Sequence, residues 1–99
     1  MDLVNEELLG TWVSQERGLP ELVFEASGVV SGSDGCNRIV STYEATEAGA
    51  RVAPFAITAM ACMGVNQWLA DVASVTLDDG VLRVRDVAGT EIGELQRSE

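Results

Sequence analysis

The sequence predicts a mainly β domain, a curved antiparallel sheet or barrel of about eight strands with one α-helix. Three observations carry this expectation. Short apolar runs of strand length alternate with glycine-bearing turns along almost the whole chain. One segment alone, starting at Val65, switches to helical spacing. A length of 99 residues with 46% hydrophobic composition suits a single domain over residues 1–99, burying roughly two thirds of its unfolded surface.

The elements follow in order. Leu8 to Gln15 is a β-prone run ending before the turn at Gly18-Leu19-Pro20, and Trp12 reads as a core tryptophan on this first strand. Glu21 to Glu25 alternates, with Leu22 and Phe24 on one face and the two glutamates on the other. Ala26-Ser27-Gly28 turns tightly into Val29-Val30-Ser31. A glycine-rich stretch from Gly32 to Asn37 precedes a strand from Arg38 through Tyr43. The turn Glu47-Ala48-Gly49 leads into Arg51 to Thr58, where Pro54 has no N–H for a ladder and belongs at an edge or a bulge. Val65, Trp68, Leu69 and Val72 then form the i, i+3, i+4, i+7 stripe of an amphipathic helix, with Gln67 and Asp71 opposite. Asp78-Asp79-Gly80 supplies a favoured Asp-Gly hairpin turn between Val75–Leu77 and Val81–Arg85. Within the second of these strands Leu82 and Val84 face inward and Arg83 and Arg85 face water. Gly89-Thr90 turns into Glu91–Gln96, where Ile92 and Leu95 have opposite parity and a bulge at Gly93 would let both be buried. Strands in nearest-neighbour order suit a meander curled around its core, with the helix plugging one end or covering an open side.

Charge narrows the function. Sixteen acids against six bases, all arginine, give a formal charge of −10, and the chain has no lysine and no histidine. Nucleic acid and anionic membrane surfaces would be repelled, because binding them begins with cations. Histidine-dependent nucleophile systems are excluded, and the commonest zinc ligand is missing. Gly28 to Gly35 has neither dinucleotide-binding nor P-loop spacing, and Asp34 and Asn37 lack the spacing of a calcium loop. Turn chemistry accounts for that stretch: Gly35 and Asn37 tolerate positive φ, and the Asp34 side chain can bond nearby amides. Asp78-Asp79 reads as a solvated hairpin tip, and no spacing brings two carboxylates together. No catalytic residue, cofactor or metal is therefore assigned. The longest uncharged stretch, Val52 to Ala70, is broken by Pro54, Gly64, Asn66 and Gln67, so no transmembrane segment is expected. Met1 to Glu7 has neither the basic nor the apolar region of a signal peptide. The expectation is a cytoplasmic protein as the chain stands, or a secreted or envelope-associated one if a leader has been removed. A monomer is favoured.

Cys36 and Cys62 are too far apart in sequence for a C-x-x-C pair, and two thiols alone make a poor zinc site. Two buried thiols, a disulfide and a reactive thiol all remain open on this reading.

One constellation is more specific. Gly35-Cys36-Asn37-Arg38, followed by Thr58-Ala59-Met60-Ala61-Cys62 and the helix, resembles the META domain family, which includes the heat-shock lipoprotein HslJ. Trp12, Phe24, Tyr43 and Trp68-Leu69 stand in the family's order around these motifs, so the resemblance covers nearly the whole chain. Between Thr58 and Met60 the family often carries a base, where this chain has Ala59. The resemblance implies a barrel-like fold linked to stress response and the bacterial cell envelope, with no established catalysis. Gly35, Cys36, Asn37, Arg38, Thr58, Met60, Ala61 and Cys62 then transfer as structural residues. It implies that Cys36 and Cys62 lie within bridging distance, and that the Asn37 and Thr58 side chains bond turn backbone. It also implies that Arg38 pairs with a carboxylate, and that the group joins the glycine turn to the start of the helix. The function expected is non-enzymatic interaction with a protein or peptide partner. The alternative is a carrier with an apolar pocket inside the barrel.

Overall fold

The computed structural model describes residues 7–16, 18–55, 64 and 67–98. Eight strands run in sequence order: β1 (Gly10–Val13), β2 (Glu21–Phe24), β3 (Val29–Ser33), β4 (Arg38–Ala45), β5 (Gly49–Val52), β6 (Ser74–Asp78), β7 (Val81–Arg85) and β8 (Glu91–Arg97). Every neighbour pair is antiparallel, and β8 returns to β1 to close the barrel. The closed form is the one adopted, so the first and last strands of the meander pair with each other over a short seam.

Alternation fills the interior. Leu22 and Phe24 of β2, Leu82 and Val84 of β7, Val30 of β3 and Ile39 of β4 are all buried, while Glu21, Arg83, Val29 and Arg38 alternate to the outside. Trp12 joins this cluster from β1 at 1% exposure. Tyr43 of β4 meets Phe24 edge to face, ring centroids 5.0 Å apart at 81°, a geometry that puts a positive ring edge against a negative face. Gly32 leaves no room for a side chain against β2, since a Cβ there would stand 2.0 Å from the Glu21 carbonyl oxygen.

The hairpin chemistry follows the residues. Asp79 and Gly80 both take positive φ, 51° and 83°, as a two-residue turn matching the twist of its strands requires. β8 carries the expected bulge one residue earlier than Gly93 alone would place it. Val84 pairs with Gly93 and Arg85 with Glu91, which leaves Ile92 as the extra residue. The parity shift lets Ile92 pack against the core while Leu95 is fully buried. Pro54 is exposed and lies just past the end of β5 rather than within a strand.

The α-helix is corrected. Its start at Val65 falls outside the described residues, and the remainder forms a single 3-10 turn, Trp68–Asp71. The reason lies at Ala73. Its N–H donates to the Arg85 carbonyl at 2.8 Å, and its carbonyl accepts from Val52 N–H at 2.9 Å, so it already bridges β5 and β7. Val72 must then be extended, at φ −59° and ψ 127°, and no second helical turn can form. The apolar stripe still serves the core: Leu69 and Val72 are buried, and Trp68 lies against Gly93 of β8.

Candidate functional site

A meander places alternate connections at the same end of the barrel. One end gathers the β1–β2, β3–β4, β5–β6 and β7–β8 connections. The other gathers the approach to β1, the remaining turns and the end of β8.

The first end holds the Gly-Cys-Asn-Arg motif. Asp34 is fully buried, and its Oδ1 accepts the backbone N–H of Cys36 at 2.8 Å and that of Asn37. The Asp34 N–H donates to the Asn37 carbonyl at 3.1 Å, and the Ser33 hydroxyl accepts from Gly35 N–H at 3.0 Å. This is a self-closed Asx turn in which a carboxylate replaces the missing ladder partners. Gly35 takes φ +99°, whereas Asn37 does not need positive φ and is held by its bond to Asp34. The Asp34 Oδ2 is buried without a hydrogen-bond partner among the described residues. Cys36 is half-buried and disulfide-bonded. The sequence has one other cysteine, Cys62, which with Thr58, Met60 and Ala61 lies outside the described residues. Arg38 corrects the expectation of an ion pair. It is exposed and makes none among the described residues, because Ser33 is its cross-strand neighbour and no carboxylate stands opposite.

Trp68 fastens the same end. Its indole N–H donates to Glu16 Oε1 at 2.6 Å across the β1–β2 connection. Its ring occupies the space beside Gly93, where a Cβ would approach to 2.7 Å. β1 and β8 pair only at Trp12–Arg97 and Val13–Gln96. Beyond that pairing the seam opens into a small cleft of about 120 Å³ beside Ser14 and Glu94.

The opposite end is open. A cleft of about 540 Å³ lies between the approach to β1, the β4–β5 turn and the β6–β7 turn, with Glu7, Glu47, Asp79 and Arg97 among its lining and Trp12 and Leu77 as its apolar parts. Arg97 is already engaged: Nη1 donates to the Leu9 carbonyl at 2.8 Å and Nη2 to the Glu7 carbonyl. Its Cζ sits 4.5 Å from the centroid of the Trp12 ring, a cation–π contact. The Trp12 indole N–H donates to the Leu8 carbonyl at 2.8 Å. Together these contacts tie the segment ahead of β1 to the barrel.

The family comparison agrees with the architecture. The META domain model matches residues 6–99. The chain belongs to the META domain family. No match was found among curated proteins or among solved structures. In this META barrel the motif residues that are described, Gly35 to Arg38, form one loop at one end. The cleft lies at the other and contains none of them.

Sequence reasoning missed the cleft residues. Glu47 reads only as a turn residue and Asp79 as part of a solvated hairpin tip, and Arg97 lies past the last strand expected from the sequence, Glu91–Gln96. The signal that could have joined them is topological: in a meander, the turn after β4 and the turn after β6 must share an end. Asp78 is exposed, as a solvated tip requires, and also accepts from Arg83 Nε at 2.9 Å, while the same guanidinium reaches Glu91 at 3.1 Å and Glu94 at 3.4 Å. The bond to Asp78, then Glu91, holds the Arg83 guanidinium more firmly protonated than usual.

Proposed function

We propose that this META domain is a non-enzymatic module that binds a protein or peptide partner in a stress-response or cell-envelope setting. The observation that carries the reading is the filled interior. Trp12, Leu22, Phe24, Val30, Ile39, Val75, Leu82, Val84 and Leu95 form one cluster at 2% exposure or less. This packing among the described residues supports surface recognition over a small-molecule carrier that uses the barrel interior, since protein interiors pack as densely as organic crystals. Recognition then falls to the outer surface and the open end, where a partner's side chains can reach. The absence of histidine from the sequence supports binding over acid–base catalysis at neutral pH. The disulfide at Cys36, with Cys62 proposed as its partner, supports an oxidising compartment and hence export.

Displacement of a hydrophobic fluorescent probe tests this reading. Lipophilic ligands are expected neither to displace the probe nor to raise the melting temperature. Saturable displacement with a raised melting temperature would establish the carrier instead.

A further inference from the structure

We propose that the outward face of β2, β3 and β4 is a dimer interface that takes a second copy of this chain. The proposal does not rest on the reading of the domain as a peptide-binding module, and it departs from the monomer expected from the sequence. Register places the residues. Thr11, Val23, Ser31 and Val40 stand side by side across β1 to β4 and alternate with the buried positions, so they point away from the core. Val40 is 59% exposed and is the one strand residue among the large exposed hydrophobics of the described residues. With Val29 and Thr42 on the next row, the centre of this face carries no charge. The chain as a whole has a formal charge of −10. An uncharged, β-branched sheet face is where two such chains meet with the least repulsion.

The border of the face names the occupant. Glu21, Ser33 and Arg38 form the adjoining row, one residue on each strand. Neither Glu21 nor Arg38 makes an ion pair among the described residues, whereas Arg83 on the opposite wall is matched by Asp78, Glu91 and Glu94. Two strand spacings, roughly 10 Å, keep Glu21 and Arg38 apart within one chain. A two-fold axis lying between two copies and parallel to β3 sets β2 of each over β4 of the other. Each Glu21 then faces the partner's Arg38, each Val23 faces the partner's Val40, and Ser31 meets its own counterpart. The face is self-complementary, as a closed two-fold contact requires. A basic partner would leave Arg38 unmatched, and an acidic one would leave Glu21 unmatched. A face three strands wide falls below the roughly 1,200 Å² of total area that stable interfaces bury, so the dimer is weak.

The test is sedimentation equilibrium of the intact chain from about 10 μM to about 1 mM, in salt that screens the long-range repulsion. A monomer–dimer equilibrium is expected within that range. R38E sets glutamate against glutamate and E21R sets arginine against arginine, and each should weaken the dimer at least about tenfold. Because R38E adds negative charge and E21R removes it, a loss in both cannot come from net charge. The double variant E21R/R38E should restore the dimer to within about threefold of the parent, since the exchanged charges meet again. R51E, on the outward face of β5, makes the same charge change as R38E and should leave the dimer within about threefold. All four variants should stay folded, because these side chains lie on the outside of the barrel, and the melting temperature of each checks it. A monomer throughout the range would overturn the proposal. A dimer that survives R38E and E21R, or one lost only on adding reductant, would overturn it too, by placing the contact on another face or in an intermolecular disulfide.

Discussion

The two ends of the barrel are built on opposite terms. At the motif end, polar groups are turned inward. Asp34 is buried and caps two amides, Cys36 is covalently bonded, and Trp68 is wedged against Gly93 and bonded to Glu16. At the cleft end, polar groups are turned outward: Glu47 and Asp79 stand exposed on turns around an open space, and Asp78 is also exposed. Buried polar groups must be satisfied and so are expensive to alter, whereas exposed ones are free to meet a partner. The lesson is that the described part of the motif, Gly35 to Arg38, sits in a loop organised by buried Asp34, and that the exposed residues around the cleft carry no motif.

Substitutions should separate the ends by their cost. The largest stability loss belongs to the motif end. With Cys62 as the proposed partner of Cys36, breaking the disulfide with reductant should cost about 3.5 kcal/mol by the chain-entropy estimate for a loop of about 26 residues. Urea unfolding with and without reductant measures it, and intact mass after alkylation without reductant should show no modified thiol. A loss near zero would mean the bond does little for this end. Next comes D34A, which strips the acceptor from the Cys36 and Asn37 amides and should cost about 1–3 kcal/mol. G93A should cost a similar ~1–3 kcal/mol, because its methyl displaces the Trp68 ring. The Trp68 fluorescence should shift with it; an unchanged spectrum and midpoint would contradict the wedge. Smallest in stability are the cleft substitutions. E47Q/D79N should stay within about 0.5 kcal/mol of the parent in the same urea experiment.

A pH experiment probes the wall between the ends. Burial, then the neighbouring Glu25 carboxylate, raises the pKa of Tyr43 above its ordinary value of 10.0, and its hydroxyl donates to the Glu25 carbonyl. A raised folded-state value means that neutral Tyr43 favours folding. That contribution is whole below about pH 10 and is lost as the pH rises through the folded-state value. Tyr43 is the single tyrosine, so its phenolate absorbance reports it alone. The midpoint should lie above that of the unfolded chain, and coincident midpoints would contradict the contact.

The fold was largely legible because the barrel is local. Alternation in Glu21–Phe24 and Val81–Arg85 sets their inward faces, Asp79-Gly80 sets its turn, and the parity clash of Ile92 with Leu95 demands the bulge. The α-helix was misread because its stripe at Trp68, Leu69 and Val72 is equally served by one 3-10 turn once Ala73 is claimed by β5 and β7. Arg38 was expected to pair on the family resemblance, but a motif does not say which residue stands across a ladder, and there it is Ser33. The turn role of Asp34 was legible from residue type alone. The cleft was not, because Glu7, Glu47, Asp79 and Arg97 are joined only by barrel closure.

The division of labour between the ends is tested most directly by urea unfolding of D34A and of E47Q/D79N beside the parent. The prediction is a loss of about 1–3 kcal/mol in D34A and none beyond about 0.5 kcal/mol in E47Q/D79N, because Asp34 caps two amides from a buried position and the two cleft carboxylates stand exposed. Equal losses in the two variants would contradict the account.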